Sequence, residues 1–183
     1  MAVLASGAGT TLEFLIQNIG ERQLSWKICP VISDKETAGA LQIARHYGID
    51  AYVLREDSEI SATLAGHSPD LILLAGYLKK VRGQTLKQFQ GKIINTHPSL
   101  LPKHGGRGMF GRRVHEAVFN SRDLETGVTI HEVNENYDEG KILLQKRILL
   151  DASESVESIE RKVKAIEKET LLEFLRTWPE KGF

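Results

Sequence analysis

The chain has 183 residues, and its 24 Lys and Arg balance its 24 Asp and Glu, so the formal net charge is zero. A length of about one domain supports its own core without a disulfide or metal staple, and a neutral balance excludes a nucleic-acid surface driven by gross charge. The one cysteine, Cys29, excludes a disulfide framework within the chain and a cysteine-rich zinc site, while 41% hydrophobic against 26% charged residues excludes a disordered chain.

Met1 is followed by Ala2-Val3-Leu4-Ala5, with no basic segment and no long apolar stretch, so no secretory leader and a cytoplasmic location are expected. Val3–Ala5 reads as a strand. Thr10 to Ile19 reads as a helix capped by Thr10 and stopped by Gly20, with Leu12, Leu15, Ile16 and Ile19 at helical spacing. Trp26–Ser33 is expected to be the second strand, with Pro30 marking a bend or an unpaired position. Glu36–Tyr47 reads as a helix ended by Gly48, Ala51–Leu54 as a strand, and Ser58–Ala65 as a weak helix.

Leu71–Ala75 is a continuous apolar run, the pattern of a strand covered on both faces. Even extended to Leu78 it falls far short of the about 20 residues of a membrane span. Gln84–Phe89 follows as a short helix and Lys92–Thr96 as a strand. Pro98 to Gly111 forms a long loop, which at this length points to function rather than linkage. Arg112–Asn120 is a helix. Gly127–Val133 and Lys141–Leu150 are two strands joined by the turn 135–140. Ser153 caps a last helix that runs to about Trp178 and is stopped by Pro179. Alternating strands and helices predict an α/β fold with a mostly parallel sheet, formed as one domain over residues 1–183. In such sheets ligands bind at the carboxyl ends of the strands, which selects Ser6–Thr11, Ala75–Val81, Asn95–Gly111 and Asn134–Gly140.

Ser6-Gly7-Ala8-Gly9-Thr10-Thr11 lies between the first strand and the first helix. Two glycines let the backbone approach a ligand, the helix start presents free N–H groups, and the threonines add hydroxyls, which suits a phosphate monoester. Two other readings stand beside it. One is a dinucleotide fingerprint with Asp34 as the ribose acid, although Leu12 occupies the third glycine position; the other is a plain tight turn. A Walker A loop is excluded, since no Gly-Lys-Ser/Thr follows.

Asn95 and His97, two apart at the end of a strand, share a face. An amide beside an imidazole is a device for stabilising an oxyanion and delivering a proton; the alternative is a histidine hydrogen-bonded within its loop. Asp138, in another strand-end turn, is either an acidic partner for His97, holding it as imidazolium, or a turn aspartate beside Gly140. His131 is core or site-facing, and His104 belongs to the long loop. No set of residues has metal-ligand spacing, so no metal is expected.

Asn95-Thr96-His97-Pro98-Ser99-Leu100-Leu101-Pro102 resembles the signature of folate-dependent formyltransferases. The blocks 103–111, 114–118, Gly127-Val128-Thr129-Ile130-His131 and Tyr137-Asp138-Glu139-Gly140 resemble the phosphoribosylglycinamide formyltransferase branch, and the likeness runs from Val3 to the last helix. The resemblance implies a single-domain Rossmann-like formyltransferase fold with helices on both faces and an antiparallel strand in the C-terminal half. It places the phosphate-substrate loop in the N-terminal half, and the folate site and catalytic residues in the C-terminal half. The implied reaction carries the formyl group of 10-formyltetrahydrofolate, a co-substrate, to the amine of 5-phosphoribosylglycinamide in de novo purine synthesis. No metal, nucleic acid or membrane takes part, and the protein is expected to be a monomer or weak homodimer.

By the same resemblance Asn95, His97 and Asp138 match the catalytic trio, with protonated His97 and Asn95 on the oxyanion and Asp138 assisting proton transfer. Gly9, Thr10, Thr11 and Glu167 match the substrate-binding residues. Leu78, Lys79, Lys80 and Val81, with Asn95, match the folate side. Thr10-Thr11 stand where the family usually has Ser-Asn, Leu78-Lys79 where it often has Met-Arg, and Arg55 is the nearest residue to a family arginine after the third strand. The alternatives are a formyltransferase acting on a sugar amine and, from a different class, a nucleotide-binding Rossmann module.

Overall fold

The computed structural model describes residues 1–21 and 24–181, with side chains described through Trp178. The first strands are short apolar triplets. β1 (Ala2–Leu4), β2 (Val31–Ser33) and β4 (Ile72–Leu74) are buried at every residue, while β3 (Ala51–Val53) is half-buried. Burial on both faces is what a parallel sheet sandwiched by helices demands. Between these strands run α1 (Thr10–Glu21), α2 (Gly39–His46) and α3 (Asp57–His67); α4 (Gly83–Gln88) leads into β5 (Ile93–His97). β1 pairs in parallel with β2 and β4, β2 with β3, and β4 with β5.

The chain continues through α5 (Arg112–Asn120), β6 (Glu125–Glu132), β7 (Ile142–Leu149) and α6 (Val156–Lys181). β6 and β7 pair antiparallel with a register shift at Ile130/His131. The full sheet is seven-stranded in the order β3-β2-β1-β4-β5-β6-β7, the mostly parallel α/β fold with an antiparallel C-terminal strand that the sequence predicts. The chain divides into two compact units, Met1–Asn95 and Thr96–Phe183. In the second, Val118, Val128, Ile159 and Val163 form a buried core of α5, β6 and α6. Among the described residues no helix is long and apolar enough to cross a membrane.

Several element boundaries differ from expectation. α1 continues through Gly20 to Glu21, because an interior glycine costs only about 1 kcal/mol against alanine. β2 begins at Val31 rather than Trp26, consistent with a proline at residue 30 that has no N–H to give a ladder. α2 starts at Gly39, since the preceding residues close a turn in which the Ala38 N–H donates to the Lys35 carbonyl. α3 is longer than expected, with a capping box between Glu56 and Glu59. The cap of α6 is Ser155, not Ser153: Ser155 Oγ accepts from the Ser158 N–H at 3.2 Å, and Ser158 Oγ from the Ser155 N–H at 2.9 Å. α6 runs past Pro179 to Lys181; a proline's fixed φ is itself helical.

Candidate functional site

In the first unit, Ser6 organises the strand-end loops. Its Oγ donates to Asp34 Oδ1 and accepts the Leu78 N–H at 2.9 Å, while its own N–H donates to the Gly76 carbonyl. Three loops, after β1, β2 and β4, are thereby tied at one hydroxyl. Asp34 is thus engaged by Ser6, and its main-chain carbonyl accepts from Arg55 Nε at 3.1 Å.

The glycine loop is pressed onto the start of α2. A Cβ on Gly9, whose φ is +83°, would lie 2.6 Å from Ala40 Cα, and one on Gly39 would lie 2.6 Å from the Ala8 carbonyl oxygen. Only glycine fits at either position. Gly9 ends the loop, and Thr10 and Thr11 form the first turn of α1, where free N–H groups and the helix dipole favour an anion.

Lys79, Lys80 and Val81 line a cavity of the same unit with Arg55, Tyr77 and Arg82; Leu78 does not line it and stands half-exposed. The Tyr77 hydroxyl is buried without a hydrogen-bond partner among the described residues and is pushed up to about 12 by burial and by Asp34 and Asp57. Tyr77, which the sequence reading does not single out, immediately precedes the Leu78–Val81 segment.

In the second unit, Asp138 lies between two buried rings. His97 Nδ1 is 3.5 Å from Asp138 Oδ2, and His131 Nε2 is 3.5 Å from Asp138 Oδ1. Each ring donates its other N–H to a backbone carbonyl at 2.8 Å, His97 Nε2 to His104 and His131 Nδ1 to Glu132. A carbonyl oxygen only accepts, so these bonds fix which nitrogen faces the carboxylate. The Gly106 N–H donates to Asp138 Oδ2 at 2.9 Å. Asp138 itself has φ +58°, a conformation aspartate tolerates better than most residues and one that clusters at functional sites. The structure therefore brings His97 and Asp138 together and resolves His131 as facing the same carboxylate.

The electrostatics follow from burial and contact. Burial pushes the Asp138 carboxyl up, but His131, His97 and the Gly106 N–H outweigh it and hold the group below its ordinary value. For His97, burial outweighs the attraction of Asp138 and the His104 carbonyl, so its pKa is lowered. Desolvation thus opposes the imidazolium that the sequence reading favours, while Asp138 supports it.

The long loop that carries these contacts is itself held. Thr129 Oγ1 donates to the Ser99 carbonyl at 2.7 Å and accepts the Leu101 N–H at 3.0 Å. His104 Nε2 meets Asp123 Oδ2 at 2.7 Å and Lys103 Nζ meets Asp123 Oδ1 at 3.0 Å; the Asp123 carboxyl is lowered chiefly by the His104 hydrogen bond. His104 thus anchors the loop while its carbonyl holds His97.

Asn95 and His97 leave β5 on one face and Thr96 on the other. Thr96 Oγ1 donates to Glu167 Oε1 at 2.7 Å. Glu167 on α6 is raised by burial, against the opposing effects of Thr96 and two lysines. The Thr96 side chain that anchors it is therefore on the side of β5 away from the His97 ring.

A strand-end imidazole with a carboxylate behind the ring is an arrangement able to hold and pass a proton, here on a Rossmann-like sheet. Residues 1–175 match the formyl transferase family, and the chain belongs to it. Its relatives narrow the branch. It is 36% identical to a phosphoribosylglycinamide formyltransferase of Haemophilus influenzae, over 90% of this chain and 79% of that protein. It is 34% identical to the chloroplastic phosphoribosylglycinamide formyltransferase of Arabidopsis thaliana over 89% of this chain, and it spans 59% of that longer relative. The crystal structure of glycinamide ribonucleotide transformylase 1 from Symbiobacterium toebii superimposes with a TM-score of 0.87 at 32% identity, covering 98% of this chain and 87% of that one.

Proposed function

We propose that the chain transfers the formyl group of 10-formyltetrahydrofolate to the amine of 5-phosphoribosylglycinamide, in the cytoplasm, with residues 1–183 acting as one functional domain. The family match runs through both units, and the named relatives carry formyl transfer to phosphoribosylglycinamide in their names. The observation that carries the reading is the placement of His97 Nδ1 against the Asp138 carboxylate at 3.5 Å, at the end of the strand that also bears Asn95.

In this reaction the substrate amine attacks the formyl carbon. The carbonyl bond opens and negative charge collects on the formyl oxygen. The Asn95 amide donates to that oxygen, and the His97 Nε2–H does so once the formyl oxygen replaces the His104 carbonyl as its acceptor; one such donor contributes about 3–4 kcal/mol of transition-state stabilisation. A His97 ring whose pKa is lowered by burial suits this role. A negative oxygen forming beside the ring, with ionised Asp138 on its other edge, raises its proton affinity as charge develops. The attacking amine loses a proton and the departing folate nitrogen gains one, so the count balances. Asp138 assists that relay.

In the first unit, Gly9, Thr10 and Thr11 take the phosphate at the start of α1. Lys79, Lys80 and Val81, with backbone groups at Leu78, take the folate, and the unpartnered Tyr77 hydroxyl offers it a hydrogen bond. The deciding experiment is a spectrophotometric assay with 5-phosphoribosylglycinamide and a 10-formylfolate donor, with a sugar amine as control. Transfer to 5-phosphoribosylglycinamide alone is expected; transfer to the sugar amine alone, or to neither, overturns the reading.

A further inference from the structure

Cys29, Asp50 and His67 are far apart in sequence and follow no metal-binding spacing, yet each stands a few residues before a strand: Cys29 before β2, Asp50 before β3, and His67, the last residue of α3, before β4. Because β1 to β4 are parallel, all three lie at the amino ends of the strands. That is the edge of the first unit's sheet away from the glycine loop and the Leu78–Val81 segment.

There Cys29 Sγ is 3.4 Å from His67 Nδ1 and 3.5 Å from Asp50 Oδ2, and the three ligand atoms lie within 4.8 Å of one another. A tetrahedral zinc ion with bonds of about 2.3 Å to sulfur and about 2.0–2.1 Å to nitrogen and oxygen separates sulfur from either by about 3.5 Å. The two measured edges already have that length. His67 is also oriented for ligation, because its Nε2 faces the Tyr52 hydroxyl at 3.3 Å and leaves Nδ1 turned to the sulfur. A ligating histidine held through its second nitrogen is the usual support in metal sites. Cys29 and His67 are half-buried and Asp50 is exposed, so a fourth position opens to solvent.

We propose that Cys29, Asp50 and His67 form a site for a divalent transition-metal ion of the zinc type, at the edge of the sheet remote from the strand-end loops assigned to substrate. The sulfur and imidazole donors suit zinc or cobalt and not magnesium or calcium, which take oxygen. On binding, the Cys29 S–H bond breaks, its proton passes to solvent and an S–metal bond forms. The competing reading, a reactive nucleophile, fits poorly. The Asp50 carboxylate beside the sulfur opposes a free thiolate, and the neighbour of His67 Nε2 is a tyrosine rather than an acid. A bound ion joins the segments before β2 and β3 to the end of α3, so it stabilises the folded chain by linkage.

Cobalt(II) chloride is the probe, titrated into the chelator-treated full chain under reducing conditions. Cys29 is the only cysteine, so any thiolate-to-cobalt charge-transfer absorption reports this sulfur alone, whatever ion the buried histidines attract. One equivalent of cobalt is expected to produce that band, with visible absorption of tetrahedral intensity, and zinc is expected to displace it and raise the melting temperature. Cys29→Ser removes the band. His67→Gln and Asp50→Asn each weaken cobalt binding tenfold or more, and Tyr52→Phe weakens it less. Absence of the band in the unmutated chain overturns the proposal. A band left unchanged by both His67→Gln and Asp50→Asn also overturns it, because a lone thiol then binds. The stripped chain should transfer formyl at its original rate; a loss restored by zinc would overturn the separation from the reaction.

Discussion

The glycine loop at residues 6–11 and the cluster around Asp138 both stand at strand ends, and they are built on opposite principles. In the first, ordinary hydrogen bonds and close backbone packing do the positioning: one serine hydroxyl ties three loops, and Gly9 and Gly39 admit contacts no side chain would allow. No ionisable side chain lies within the loop itself. In the second, the positioning is done by carbonyls behind the two histidines, while the ionisable faces meet Asp138 at 3.5 Å, just beyond a normal hydrogen bond. A surface of fixed N–H groups suits recognition of a constant charge. A buried set of titratable groups, held from behind, suits a charge that moves during a reaction.

The sharpest test of that contrast is His97→Ala. It should lower kcat about a hundred- to thousandfold while shifting the melting temperature by only a few degrees; near-normal turnover breaks the distinction. Asp138→Asn should slow transfer about a hundredfold with substrate KM values little changed. Since Asp138 raises the proton affinity of His97, its loss should also move the His97 limb of the kcat/KM profile to lower pH, and a fixed limb would separate the two residues. On the other side, Gly9→Ala should act on the fold first. With φ at +83° and Ala40 Cα at 2.6 Å, it should cost about 1–3 kcal/mol in denaturant unfolding. Thr10→Ala removes one hydrogen-bonding group, and should raise the KM for 5-phosphoribosylglycinamide roughly three- to tenfold with little change for the folate. Equal losses for both would make the loop structural only.

The smallest expected effect is on stability against pH. His97 and His115 are both lowered from 6.5, first by burial, so the unfolded chain binds more protons than the folded one below that value. Their contribution is fully present above pH 6.5 and is lost as the pH falls from there through the folded values. The melting temperature should therefore fall on acidification from pH 7 to 5, and His115→Asn should make that fall shallower. An identical slope in the variant would show that other groups govern it.

The strand and helix order was legible because apolar triplets and helical spacing are local patterns. Boundaries were not, where a single residue had to be weighed against its surroundings: Gly20 and Pro179 both lie inside helices they were expected to end, and Ser155 rather than Ser153 caps α6. The strand-end position of Asn95 and His97 was readable from the sequence, as was a pairing of Asp138 with His97. That His131 shares the carboxylate and that His104 holds His97 by its carbonyl were not, since either role depends on where a distant segment comes to rest.

The sequence by itself determined the alternation of elements, the strand-end segments and the family, because these follow from short-range periodicity and contiguous motifs. Only the tertiary structure decided the direction in which the His97 pKa moves, which depends on how completely neighbours strip water from the ring, and the meeting of Cys29, Asp50 and His67. Those three side chains are brought within ligating distance by parallel strand pairing, a long-range arrangement that no spacing along the chain encodes.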